Sequence, residues 1–165
     1  MIRLATQQDL NTINEIYNFE VLNSEYNVDT SAVTSEERLR WYEYHQAKDL
    51  PILVKYREIT GEIIAWASLS EWAPHGGYNK TAEVSIFVDR NVHRQGLGKE
   101  LLRALVDQGE DLGYKVLISR IVKGNTASIK LHQSLNFKYI GVMRRVACKL
   151  NKWVDVQIWQ KDLFI

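Results

Sequence analysis

Apolar positions along this chain follow two periods, and the switches between them divide it into elements. Leu10, Ile13, Ile16 and Tyr17 fall on one stripe of a helix over residues 7–23. Residues 2–5 ahead of it read as a short strand. Thr6 stands where a cap belongs, and Asp9 at the third helical position faces the positive end of the helix. A polar stretch fills 24–33. Thr34-Ser35-Glu36-Glu37 has the form of a capping box and opens a second helix that runs to 47. Residues 50–57 and 62–71 are apolar and β-rich on either side of Gly61, the pattern of a hairpin. Pro74, Gly76 and Gly77 mark 72–80 as a loop. Residues 81–89 alternate as a strand, and 97–112 form a helix with Leu97, Leu101 and Leu105 one turn apart. A strand at 115–121, a helix at 126–135 and an antiparallel pair at 137–147 and 153–161 complete the order.

That order is β-α-α-β-β-β-α-β-α-β-β. The strand–helix–strand over 81–121 should be a right-handed crossover between parallel strands, with the rest mostly antiparallel. The fold class is therefore mixed α/β: a twisted, largely antiparallel sheet with a central β-α-β crossover and flanking helices. Neither a repeat nor a linker interrupts it, so residues 1–165 read as a single domain.

Composition narrows the function. The 21 basic and 20 acidic residues leave a net charge of +1, which argues against a nucleic-acid surface. No run of about 18 apolar residues is present to span a membrane, and the N-terminal stretch does not resemble a signal peptide. The single cysteine, Cys148, cannot form an internal disulfide, which suits a reducing, cytoplasmic setting. The histidines at 45, 75, 93 and 132 show no metal-site spacing, so no metal is expected.

Between the strand at 81–89 and the helix at 97–112 lies His93-Arg94-Gln95-Gly96-Leu97-Gly98-Lys99. Glycines let a backbone come close to a ligand, and a helix N-terminus offers free N–H groups. Together with Arg94 and Lys99 they suit a phosphate or pyrophosphate, although an ordinary strand-to-helix turn could look the same. A dinucleotide site would need a third glycine where Leu101 stands, and a nucleoside triphosphate loop would need Gly-Lys-Ser/Thr.

This stretch resembles the cofactor-binding turn of the GCN5-related N-acetyltransferase (GNAT) superfamily, Arg/Gln-x-x-Gly-x-Gly/Ala, with His93 at its first position. A second signature matches at Asn125-Thr126-Ala127-Ser128-Ile129-Lys130-Leu131-His132. Gly77-Tyr78, Thr81, Glu83, Ser85-Ile86-Phe87-Val88, Gly141-Val142 and Lys152-Trp153-Val154-Asp155-Val156 look like the phosphinothricin/methionine sulfone acetyltransferase group. The resemblance covers nearly the whole chain. It implies the GNAT fold, acetyl-CoA as cosubstrate and acetylation of the primary amine of a small molecule, such as an amino acid or its analogue. Acetylation of a peptide or protein amine, or CoA binding without catalysis, are the alternatives.

Acetyl transfer needs a neutral amine, donors to the thioester oxygen and a proton for the departing thiolate. On the residues alone, Glu83 is either a base facing a cleft or a solvated strand residue. It shares a strand face with Ser85, Phe87 and Asp89, opposite Ala82, Val84, Ile86 and Val88. The resemblance makes it the base. Asn125, Ser128 and His132 share one helix face by spacing, with Ala127, Leu131 and Leu135 on the opposite, core-facing stripe. His132 is either a surface histidine or, as the resemblance implies, the acid or amine-binding group. The resemblance assigns Ile86, Phe87, Val88, Arg94, Gln95, Gly96, Leu97, Gly98, Lys99, Asn125, Ser128 and Ser134 to acetyl-CoA. It assigns His75, Gly77 and Tyr78 to the acceptor. The group usually carries Arg where His75 stands, three residues before Tyr78. It also tends to dimerise, and Trp153 and Trp159 on the last strand are candidates for a homodimer contact.

Overall fold

The computed structural model describes residues 1–93 and 95–164. Its strands are β1 (Ile2–Leu4), β2 (Ile52–Tyr56), β3 (Ile63–Glu71), β4 (Thr81–Val88), β5 (Val116–Val122), β6 (Lys138–Lys149) and β7 (Lys152–Asp162). Its helices are α1 (Leu10–Asn23), α2 (Ser35–Ala47), α3 (Leu97–Asp111) and α4 (Thr126–Gln133). All seven strands join one sheet in the order β1-β2-β3-β4-β5-β7-β6. Only β4 and β5 run parallel, linked through α3; the other neighbours are antiparallel. The mixed α/β architecture expected from the pattern is the one observed.

Local chemistry explains the helix starts. The Thr34 hydroxyl accepts from the Glu37 N–H at 3.1 Å, while the Glu37 carboxylate accepts from the Thr34 N–H at 2.8 Å. Before α1, Thr6 caps a short 3-10 turn, Gln7–Asp9; the Asp9 carboxylate accepts from the Thr6 N–H at 2.7 Å and from its hydroxyl at 3.1 Å. Arg3 pairs with that carboxylate at 2.6 Å and, ahead of the Thr6 contacts, holds Asp9 below the usual carboxylate range.

The sheet is covered on both faces, which is why β3 is buried almost along its whole length. Ala65, Ala67 and Leu69 of β3 and Ala82 and Val84 of β4 pack against Leu101, Leu102 and Leu105 of α3. The small alanines let the helix approach the sheet. Trp66 faces the other way, into a second core with Ile13 and Ile16 of α1, against which Leu39 and Trp41 of α2 pack.

The last two strands are longer than their pattern suggested, because Leu150 and Asn151 close the hairpin in a two-residue turn with φ of 49° and 60°. One dimer expectation fails here. Trp159 is buried in the first core, edge-on to Tyr139 at 5.6 Å, so it is not free to meet a second copy. Trp153 is 67% exposed.

One irregularity shapes the site. The β4–β5 pairing stops at Glu83–Ile118, although β4 continues to Val88 and β5 to Val122. Beyond Glu83 the two strands pair only with their outer neighbours, β3 and β7, so the sheet splits into a wedge.

Candidate active site

The turn after β4 has the shape that the sequence motif requires. Gly96 caps α3 with φ of 72°, a left-handed conformation that costs a side-chain-bearing residue about 1–2 kcal/mol. At Gly98 the constraint is packing. A Cβ there would lie 3.2 Å from Leu131 and 3.7 Å from Val88, so this glycine lets α3 start against α4 and the end of β4. The His93 Nε2 donates to the Val88 carbonyl at 2.9 Å and ties the turn to the strand. Gln95 and Lys99 are exposed and Leu97 is half-buried. A cleft of about 430 Å³ runs from Gly96 along α3, with Lys99 and Arg103 on it. Sequence reading missed Arg103; its i,i+4 spacing from Lys99 was the available signal. Arg94 lies outside the described residues.

Glu83 stands where the wedge opens. Strand alternation places it with Ser85 and Phe87 on the face that looks toward α1 and α2, as expected. Its carboxylate is gripped by Arg120 of β5, Nε to Oε1 at 2.7 Å and Nη2 to Oε2 at 2.8 Å. Glu83 is largely shielded, with 16% of its side chain exposed, and Arg120 is half-exposed over Trp72. Arg120 was not singled out from the sequence. Its tie to Glu83 depends on the parallel register that sets Ile118 beside Glu83, and no local motif encodes that register.

The helix that carries His132 packs differently from its expected faces. Ala127 is exposed, whereas His132 is only 1% exposed and stands edge-on to Phe137 at 5.0 Å. With Leu131 against the Gly98 site, the core side of α4 includes the histidine. The His132 Nδ1–H donates to the Ser128 carbonyl at 2.8 Å, and Nε2 is buried without a partner among the described residues. Burial pushes the imidazole below its ordinary pKa, against the smaller opposite effect of the Ser128 bond. In this neutral form Nε2 offers a lone pair, not a proton. Among the described residues no hydrogen bond joins His132 to Glu83.

The remaining candidates have local partners. The Asn125 side chain caps α4 by accepting from the Ser128 N–H at 3.3 Å, and the Ser134 hydroxyl donates to the Leu131 carbonyl at 2.7 Å. Ile86 packs against the α3 core, while Phe87 stacks on Trp66 with ring centroids 4.8 Å apart. His75, Gly77 and Tyr78 are exposed at the 3-10 turn Gly76–Tyr78, the two rings 6.4 Å apart.

A second cavity, about 290 Å³, lies on the Glu83 side of the sheet. Tyr17, Arg38, Trp41, Trp66, Ser85 and Phe87 are among its walls. It was invisible in the sequence, since it forms from α1, α2, β3 and β4 together.

The unpaired backbone of the wedge, the left-handed Gly96 and the α3 N-terminus fit a ligand with an extended amide-bearing arm and a diphosphate. Among the described residues no cluster of metal-ligating side chains occurs, and no helix is long and apolar enough to cross a membrane.

Comparison with known proteins agrees with this arrangement. A family model described as an acetyltransferase (GNAT) domain matches residues 2–158. An L-methionine sulfoximine/L-methionine sulfone acetyltransferase of Salmonella typhimurium is 35% identical over 162 residues, covering 98% of this chain and 94% of that protein. The L-amino acid N-acyltransferase MnaT of Escherichia coli is 34% identical, covering 98% and 93%. The crystal structure of a phosphinothricin acetyltransferase from Sinorhizobium meliloti in complex with AcCoA superposes with a TM-score of 0.95. It has 29% identity, over 99% of this chain and 88% of that one.

Proposed function

Because this chain belongs to the GNAT acetyltransferase family, we propose that it is an acetyl-CoA-dependent N-acetyltransferase of one domain acting on the primary amine of an amino acid or amino-acid analogue. One observation carries the reading. The Glu83 carboxylate sits at the apex of the wedge, on the sheet face that carries the 290 Å³ cavity, and the Gly96–Gly98 turn follows the far end of the same strand. An amine entering from the cavity would meet the carboxylate at the point where the arm of the second substrate would emerge.

Acetyl-CoA supplies the acetyl group as a thioester. We assign its diphosphate to the backbone of Gln95, Gly96, Leu97, Gly98 and Lys99, and its arm to the free edge of β4 at Ile86, Phe87 and Val88. Asn125, Ser128 and Ser134 lie on the far side of that wedge. Glu83 takes a proton from the acceptor ammonium, directly or through a water, while Arg120 holds its two oxygens. Attack forms the C–N bond, and loss of the C–S bond releases CoA as a thiolate that takes up the second proton lost by the amine nitrogen. A backbone N–H near Val88 would stabilise the oxygen on which charge develops. His132 serves as acid only when charged, which burial opposes. In its neutral form Nε2 would accept a hydrogen bond and help to seat the reacting groups.

We further propose a cytoplasmic homodimer. Its support is an exposed free Cys148 and an apolar surface on the edge hairpin, with Ile140, Val146 and Trp153 at least half-exposed. The enzymatic reading is tested with a panel of amines, acetyl-CoA and a thiol reagent. Acceptor-dependent thiol release with amino-acid analogues supports it, and release with no acceptor on the panel refutes it.

A further inference from the structure

The 290 Å³ cavity contains a cation that forms no salt bridge among the described residues. Arg38 of α2 is only 4% exposed, and its guanidinium lies over the rings of Trp41, Tyr17 and Trp66 at 4.7, 4.8 and 5.6 Å. Its Nε donates to Asn14 at 3.0 Å. Among the described residues no carboxylate lies within salt-bridge distance of it, and the two terminal nitrogens have no hydrogen-bond partner. Buried charges are normally paired, because taking an ion out of water is costly. Asp29, at the exposed rim of the cavity, attracts Arg38 only from beyond salt-bridge distance and accepts a hydrogen bond from the Tyr17 hydroxyl. Burial first, and that bond second, push Tyr17 up to about 12, so the phenol keeps its proton and remains a donor.

Another residue of the cavity wall carries a donor without a partner among the described residues. Trp66 is 2% exposed, and among the described residues its Nε1–H has no acceptor. A buried N–H in that state costs roughly 1–3 kcal/mol. Ser68 and Ser85 directly face each other across β3 and β4 and add hydroxyls to the same wall. A cation, an indole N–H and hydroxyls surrounded by aromatic rings have the chemistry that receives a carboxylate attached to an apolar body.

Register sets the distance to the reacting centre. Glu83 pairs with Ser70, Ser85 with Ser68, and Phe87 with Trp66, all on one face. Ser85 therefore lies two residues, or about 6.6 Å, from Glu83 along the strand. An acceptor with its amine at Glu83 can extend an acid group into the cavity.

We propose that Arg38, with Trp66 Nε1, is the carboxylate receptor of the acceptor site and sets a preference for amino acids over simple amines. This rests on the amino-acid reading above, and names the residues that would enforce it.

The test is calorimetric titration of the whole chain with L-methionine sulfone and with its carboxamide, for wild type, Arg38→Met and Trp66→Phe. Wild type should bind the acid at least about tenfold more tightly than the amide. Arg38→Met should lose about 10- to 100-fold for the acid and little for the amide, the range for a charge-assisted hydrogen bond. Trp66→Phe should lose several-fold for the acid alone. Acetyl-CoA titration and a thermal melt check that each variant folds. If Arg38→Met does not fold, Arg38→Lys and Trp66→Phe carry the comparison. Equal binding of acid and amide by wild type, binding of neither, or a preference that survives the variants would overturn the proposal. An acid preference that depends on Arg38 without any CoA release would leave it standing and refute the transfer reading instead.

Discussion

Arg120 holds Glu83 by two parallel hydrogen bonds of 2.7 and 2.8 Å, from a neighbouring strand at the last residue pair before the sheet splits. In the proposed mechanism the pair acts as a unit: Arg120 orients the carboxylate and Glu83 moves the proton. Arg120→Gln should therefore lower kcat by about tenfold, less than the loss of a positioned base. The double variant Glu83→Gln/Arg120→Gln should be no slower than Glu83→Gln alone, since coupled residues are not additive. Steady-state kinetics on the four proteins decide this; additive losses would show that Arg120 acts elsewhere.

The two glycines of the α3 turn should fail for different reasons. Gly96→Ala strains a residue at φ 72° and should cost about 1 kcal/mol of stability, with Gly96→Asn less harmful. Gly98→Val drives a branched side chain toward Leu131, where a Cβ alone comes to 3.2 Å, and should both destabilise the fold and weaken acetyl-CoA binding. Urea melts measure the first effect. Thermal shifts with acetyl-CoA, CoA and NAD measure the second, with NAD giving no shift.

Two buried histidines predict acid sensitivity. Burial lowers both His45 and His132, outweighing their hydrogen bonds to backbone carbonyls. The unfolded chain then binds more protons than the folded one just below the ordinary histidine pKa of about 6.5. Stability from the neutral imidazoles is present above that pH and is lost as pH falls from there toward the folded pKa values. Urea melts at pH 7.5 and 5.5 should show the loss, and His45→Asn should reduce it.

His75 is exposed and offers little grip on a second acid group. On the proposal that Arg38 takes one carboxylate, wild type should favour methionine sulfone over the doubly acidic phosphinothricin. His75→Arg should raise kcat/KM for phosphinothricin selectively, by about tenfold. Efficient phosphinothricin acetylation by wild type, with no gain in the variant, would place the second acid elsewhere.

Much of this molecule was readable from residues in order. The alternation at 81–89 put Glu83, Ser85 and Phe87 on one face before any coordinates did, and Gly96 and Gly98 marked the turn. What escaped depends on tertiary register. The polar spacing of Asn125, Ser128 and His132 suggested a solvent-facing stripe on α4. A helix of eight residues makes so few contacts that its orientation is set by Gly98 and Phe137, and these bury the histidine. Arg38 was not singled out, because two of the three rings around it come from α1 and β3. Arg120 acquires its meaning only beside a strand distant in sequence.

The central claim is that this chain moves an acetyl group to an amino-acid amine with Glu83 as base. The most direct measurement follows free thiol from acetyl-CoA and N-acetylated product from L-methionine sulfone, in wild type and Glu83→Gln. The account predicts equal amounts of thiol and acetylated product from wild type. It predicts a rate about 10²- to 10⁴-fold lower in Glu83→Gln, with acetyl-CoA binding unchanged. Thiol release that ignores the acceptor, or a Glu83→Gln protein as fast as wild type, would contradict it.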